Sequence, residues 1–299
     1  MVDLKKPLTY DEQINHLINT HNLTINDKDT AIKILKKVNY YRLSAYGLGL
    51  TQKNDSEKYL TGTTLEQIYK IYKFDSVLRN MLIHVIEQLE IQLRTQISYF
   101  LAIKYGAEGY INHRNFSNKK MKDGTSIHSH IINNFQKECE HQKNVPFVKH
   151  HMSKYAGHFP IWVAIELFTF GNLSSLYGIM LKDDRKAISK LYQTRPQHLE
   201  SWILALVETR NICAHYSRLY NMPLKQTPYL YSENRKYRTS KINKIFPLLL
   251  VIKRMLCDDE LWTSFAYNLE KLMNEYNDVI CLAFIGFPND WKSILLKKL

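Results

Sequence analysis

Residues 63–102 limit the fold more than any other part of the chain. Leu65, Ile68, Tyr69, Tyr72, Leu78, Met81, Leu82, Val85, Leu89, Leu93 and Ile97 recur at spacings of three and four, the period of one helix face. Thr63-x-x-Glu66 reads as the capping box that opens this segment. At about 1.5 Å per residue the helix is roughly 55 Å long, with a bend or break expected near Asp75. Strand signals are scarce elsewhere, so the fold class is all-α.

Further helices follow from the same signals. Thr9-x-x-Glu12 is a capping box starting a helix that runs to about residue 20. A second helix follows Asp27 and carries Ala31, Ile32, Ile34, Leu35 and Val38. Residues 38–46, V-N-Y-Y-R-L-S-A-Y, form a dense aromatic patch around Arg42, and residues 51–61 read as a loop. Residues 104–126 are a polar excursion, and helical periodicity returns at Ile127. Pro160 begins a strongly apolar helix stopped near Gly171. Thr194-x-Pro196-Gln197 is a third capping box, starting a helix that carries Arg210 to His215 and ends at Asn221 and Pro223. The expected division is an N-terminal helical extension over 1–60 and a helical domain over 61–299, or one continuous domain.

The chain has 41 Lys and Arg against 28 Asp and Glu, a net charge of +13. That balance favours a polyanionic partner, with nucleic acid the default candidate; an AT-rich genome bias toward Lys is the bland alternative. Cys139, Cys213, Cys257 and Cys281 are far apart and form no C-x-x-C pair, so neither a disulfide framework nor a zinc knuckle is expected. His128, His130, Cys139, His141, His150, His151 and His158 match no metal-ligand spacing; no metal and no cofactor are expected. No apolar run follows Met1, and the longest apolar runs, around 247–252 and 279–287, are far short of a membrane span. A cytoplasmic protein without a membrane partner is expected.

Residues 210–221, R-N-I-C-A-H-Y-S-R-L-Y-N, carry the clearest chemistry. On a helix, Asn211 and His215 lie about 40° apart and share a face, and Arg210 has the reach to fold onto it. An imidazole moves protons at neutral pH. A guanidinium binds a phosphate through two hydrogen bonds and stabilises transition-state charge. Together they suit phosphodiester cleavage. A packed cluster with Arg210 in a salt bridge is the competing reading. The pattern recurs at Arg79, Asn80 and His84, where Asn80 and His84 fall opposite the apolar stripe. Glu90 and Arg94, four apart, most simply pair with each other. Candidate RNA contacts are Arg218, Arg42, and the basic stretch with Arg235, Lys236, Arg238, Lys241 and Lys244. Tyr40, Tyr41 and Tyr46 could stack on bases, although core packing of two of them is the safer view.

P-L-T-Y-D-E-Q-I, V-N-Y-Y-R-L-S-A-Y, F-D-S-V-L-R-N with I-E-Q-L-E-I-Q-L-R-T-Q-I, P-I-W-V-A-I-E-L-F-T-F-G-N-L-S-S-L-Y, R-N-I-C-A-H-Y-S-R-L-Y-N and G-F-P-N-D-W occur in order over residues 7–291. This set resembles the abortive-infection Abi-like family of the AbiD/AbiF type, which is similar to the HEPN superfamily of helical, often metal-independent endoribonucleases. The resemblance implies a HEPN-type bundle with inserted helices, and an endoribonuclease toxin of phage defence. Arg210, Asn211 and His215 match the HEPN signature of Arg, a polar residue and a later His. The resemblance also implies a regulatory small RNA as a partner. One His cannot easily serve both sides of an in-line displacement, so two motifs are expected to pair. A homodimer is preferred over use of Arg79 and His84 within one chain. The rival class is a non-catalytic RNA-binding protein or scaffold. Nucleotide transfer ranks last, since the chain has no Gly-rich nucleotide loop.

Overall fold

The structure, a computed structural model, describes residues 6–237, 243–256 and 258–296. In those residues the chain forms α1 (Tyr10–Asn19), α2 (Lys28–Lys37), α3 (Tyr40–Ser44), α4 (Leu65–Tyr105), α5 (Ile127–His141), α6 (Pro146–Lys154) and α7 (Ile161–Ala164). It continues with α8 (Phe170–Ile179), α9 (Lys182–Leu191), α10 (Pro196–Ala214), α11 (Phe246–Met255), α12 (Asp259–Glu275), α13 (Leu282–Ile285) and α14 (Trp291–Leu295). Among the described residues the only β pairing is isolated bridges, so the protein is all-α. No helix among these residues is long and apolar enough to cross a membrane.

The expected caps hold at the first two helices. Thr9 and Glu12 form the reciprocal capping box of α1, and Asp27 accepts the first-turn N–H groups of Asp29 and Thr30 in α2. The cap of α4 is shifted by one residue. Thr64 Oγ1 accepts from Gln67 N at 3.0 Å, because the carbonyl of Thr63 is occupied by Thr24 N–H at 2.8 Å. α4 then runs unbroken for 41 residues, about 60 Å. The break expected near Asp75 does not occur. Asp75 is fully buried. Its carboxylate is taken by Tyr46, Leu219 and Tyr220 outside the helix and by the Arg79 side chain one turn on, instead of competing with the helix backbone.

Two further corrections have local causes. The apolar helix expected from Pro160 to Gly171 is a single turn, α7, followed by a 3₁₀ turn over Ile165–Leu167. Arg94 takes the carbonyls of Ile165 and Phe168, Phe168 is extended, and Thr169 caps a new helix, α8, through Asn172 N–H. Gly171 thus lies in the first turn of α8. Thr194 does not cap α10; its hydroxyl bonds to Tyr231 Oη at 2.9 Å.

Two compact units interleave along the chain. The first takes Met1–Leu82, Ile212–Pro223 and Thr263–Lys297, so residues 1–60 share it with later segments. Its core holds Ile14 and Leu17 of α1, Ala31 and Leu35 of α2, and Leu65, Ile68, Phe74 and Leu78 of α4. Phe74 meets Tyr220 edge-on at 6.0 Å and Tyr276 at 5.8 Å. Burying each such side chain contributes about 1.5–3 kcal/mol.

The second unit takes Ile83–Asn211 and Leu224–Trp262. The buried stripe of α4 continues through Val85, Leu89, Leu93 and Ile97. α5 packs on α8, and Phe135 joins Tyr110, Phe159 and Phe168 in one ring cluster. Phe246 through Ile252 of α11 are all buried, which accounts for the apolar run at 247–252: a helix apolar all round is a core helix.

Candidate functional site

Arg210 and Asn211 lie near the end of α10, in the second unit. The Arg210 Nη1 donates to Asn211 Oδ1 at 3.2 Å, and its Nε lies 3.6 Å from Glu90 Oε2. Glu90 is buried and its other oxygen accepts from Arg94 Nη2 at 2.5 Å. Arg94 in turn holds the carbonyls of Ile165 and Phe168. Within this group one carboxylate faces two guanidiniums, leaving a unit of positive charge uncompensated. Arg210 keeps 38% of its side chain exposed, and Asn211 is exposed. An anion can therefore reach an arginine whose orientation is already fixed.

His215 belongs to the first unit, just beyond the last residue of α10. The helix ends there, not at Asn221. Tyr216 N–H donates to Cys213 O at 3.2 Å and Ser217 N–H to Ile212 O at 2.9 Å. These two bonds form a Schellman motif with His215 as the C-cap residue. The left-handed position belongs to Tyr216, at φ +56°, where glycine is usual. Arg42 Nη1 donates to Tyr216 O at 2.7 Å and so holds the turn. His215 is exposed and makes no hydrogen bond to any described residue. Cys213 is buried, and burial pushes its thiol up to about 12; it stays a neutral core group.

The chain after this turn is anchored on Asp75. Asp75 Oδ1 accepts from Leu219 N at 3.0 Å and Tyr220 N at 2.7 Å. Its Oδ2 accepts from Tyr46 Oη at 2.8 Å and Arg79 Nε at 3.2 Å. Burial pushes the Asp75 carboxyl above its usual range, while the Tyr46, Tyr220, Arg79 and Leu219 donors pull it back.

The other candidates separate by location. Arg79 is buried and paired with Asp75, whereas Asn80 and His84 are exposed. Arg42 is exposed. Arg218 is half-buried, with Nη1 donating to Ala45 O at 2.5 Å. Arg235 and Lys236 are exposed on a 3₁₀ turn. Lys244 is buried, which removes it from a solvated basic surface. Arg238 and Lys241 lie outside the described residues. Tyr46 is core and Tyr40 Oη bonds to Tyr59 Oη at 3.0 Å, while Tyr41 is exposed. In the His-rich region, His128 is buried against Tyr110 O, His151 bonds to His158 O, and His158 pairs with Glu108. Among the described residues no three His, Cys, Asp or Glu side chains are grouped to hold a metal ion.

Sequence reasoning missed the Glu90 to Arg210 contact and the role of Asp75. The Glu90–Arg94 spacing was visible, but the partner 120 positions away was not.

A family model for Abi-like proteins matches residues 33–221. The chain belongs to the Abi-like family. The match takes in Asp75, Glu90, Arg94, Arg210 and His215. Membership in the Abi-like family implies a role in abortive-infection defence. No curated protein and no solved structure matches the chain.

Proposed function

We propose that this Abi-like protein is an endoribonuclease toxin of HEPN type that cleaves RNA without a metal, using Arg210, Asn211 and His215. The observation that carries the reading is a half-buried guanidinium, oriented by buried Glu90 and still open to solvent, with an exposed imidazole five positions later that no described residue engages. Chain connectivity alone keeps the Asn211 and His215 Cα atoms within about 14 Å.

In the proposed reaction the ribose 2′-oxygen attacks the adjacent phosphorus while its proton passes to an imidazole. The P–O5′ bond breaks, and the leaving 5′-oxygen takes a proton from a second imidazole. Arg210 binds the scissile phosphate and the charge that builds on it; Asn211 orients Arg210, as their hydrogen bond suggests. Two imidazoles on opposite sides call for two motifs. The proposed arrangement is a homodimer in which each chain supplies Arg210 and His215. Burial of Arg79 against Asp75 argues against the Arg79, Asn80 and His84 motif as the second site. Arg42 and Arg235 are the proposed backbone contacts for RNA, whether substrate or a regulatory small RNA. The proposed place of action is the cytoplasm.

Product ends test the chemistry. The reading expects 2′,3′-cyclic phosphate and 5′-hydroxyl ends; 3′-hydroxyl ends would overturn it. Sedimentation at assay concentration tests the dimer, and an active monomer would overturn that part.

A further inference from the structure

A cleft of about 500 Å³ lies in the second unit, lined by the starts of α9 and α10 and the loop around Ser117. Ser117 N–H donates to Ile179 O at 2.8 Å, which fixes that loop against the end of α8. Five cationic side chains line the cleft: Lys119, Lys182, Arg185, Lys186 and Arg195.

Their charge is poorly compensated. Glu200 pairs with Arg185 at 2.5 Å and lies 3.7 Å from Lys119. Lys182, Lys186 and Arg195 make no ion pair with any described residue. Five cations against Glu200 leave four positive charges, and counting Asp183 in the first turn of α9 still leaves three. Asp184 is not available, because it is buried and bonded to Lys104 and Tyr105.

Two polar atoms of lining residues are also unsatisfied. Arg185 Nε and Ser117 Oγ are closed off from solvent without a hydrogen-bond partner. Neither atom is open to an incoming ligand, so the cations that make no ion pair with a described residue, Lys182, Lys186 and Arg195, are the ones left to meet an anion. Met180, Leu181 and Pro196 supply an apolar wall beside the cations. The volume far exceeds that of a bare phosphate and lies in the range of small-molecule sites.

We infer that this cleft binds a nucleoside 5′-phosphate, with the phosphate on Lys182, Lys186 and Arg195 and the base against Met180, Leu181 and Pro196. The site contains none of Arg210, Asn211 or His215, so it stands or falls apart from the ribonuclease reading.

The test is calorimetric titration of the full chain with adenosine 5′-monophosphate, uridine 5′-monophosphate, adenosine and inorganic phosphate. Lys186→Ala and Arg195→Ala accompany the wild type; both positions are exposed, and circular dichroism checks their folding. The expected result is saturable binding of a mononucleotide, at least tenfold weaker binding of adenosine, and a loss of roughly fivefold or more in each variant. Equal binding of adenosine, unchanged affinity in both variants, or no saturable mononucleotide binding would overturn the assignment. A single-stranded RNA that loses affinity in the variants, yet is not displaced by mononucleotide, would replace it with an RNA-backbone surface.

Discussion

The Asp75 carboxylate accepts the backbone N–H of Tyr220 at 2.7 Å, joining positions 145 residues apart. It accepts from Leu219, Tyr46 and Arg79 as well, so one buried group fixes the chain that follows His215. Asp75→Ala removes all four acceptor contacts and strands a buried guanidinium. The expected cost is about 3–5 kcal/mol, read as a lower urea midpoint. A change below about 1 kcal/mol would show that the hub does not hold this segment.

The two ends of the Arg79 motif should behave differently. Arg79→Ala leaves Asp75 as a buried, unpaired charge, and about 3–5 kcal/mol is expected to be lost. His84 is exposed, so His84→Ala should stay within about 0.5 kcal/mol of wild type and leave RNA cleavage unchanged. Loss of cleavage in stably folded His84→Ala would move this motif into the catalytic machinery.

Tyr216 occupies a left-handed position at φ +56°, which costs an L side chain about 1–2 kcal/mol. Glycine removes that strain but adds chain entropy to the unfolded state. Tyr216→Gly is expected to raise stability by up to about 1 kcal/mol, with Tyr216→Ala below it. In thermal melts, Tyr216→Ala melting above Tyr216→Gly would refute the strain, and both variants melting well below wild type would mean that the tyrosine ring itself holds the turn.

His198 supplies a pH dependence. Its ring stacks on Tyr231 at 4.6 Å. Burial first, then the charges of Arg195 and Arg254, lower its pKa below the ordinary histidine value. The folded protein therefore binds this proton less readily than the unfolded chain. Stability from this group is full above about 6.5 and is lost as pH falls through the folded value. His198→Phe keeps the stack and removes the titration. Melting temperature from pH 7.5 to 5 should fall less steeply in the variant, and parallel curves would refute the assignment.

Much of the fold was readable in the sequence because helices announce themselves locally. The capping residues of α1 and α2 and the apolar period of α4 depend on neighbours within four positions. What failed was set at long range. Arg94 ended α7 by taking carbonyls more than 70 residues away. α10 stopped at Ala214 because Arg42 and Asp75 hold the chain beyond it, with a tyrosine where a glycine would have given the signal. The candidate site divides the same way. Arg210, Asn211 and His215 stood out by type and spacing, whereas Glu90, which orients Arg210, looked like an ordinary i,i+4 partner of Arg94.

The most direct test of the central claim is cleavage of end-labelled single-stranded RNA in EDTA by wild type, Arg210→Ala and His215→Ala. The account predicts cleavage by wild type and a loss of roughly 10²–10⁴-fold in His215→Ala, with Arg210→Ala also strongly impaired and both variants folded. Wild-type cleavage that persists unchanged in His215→Ala would contradict the assigned site, and intact RNA binding with no cleavage in vitro and no toxicity in cells would contradict the activity and leave an RNA-binding protein.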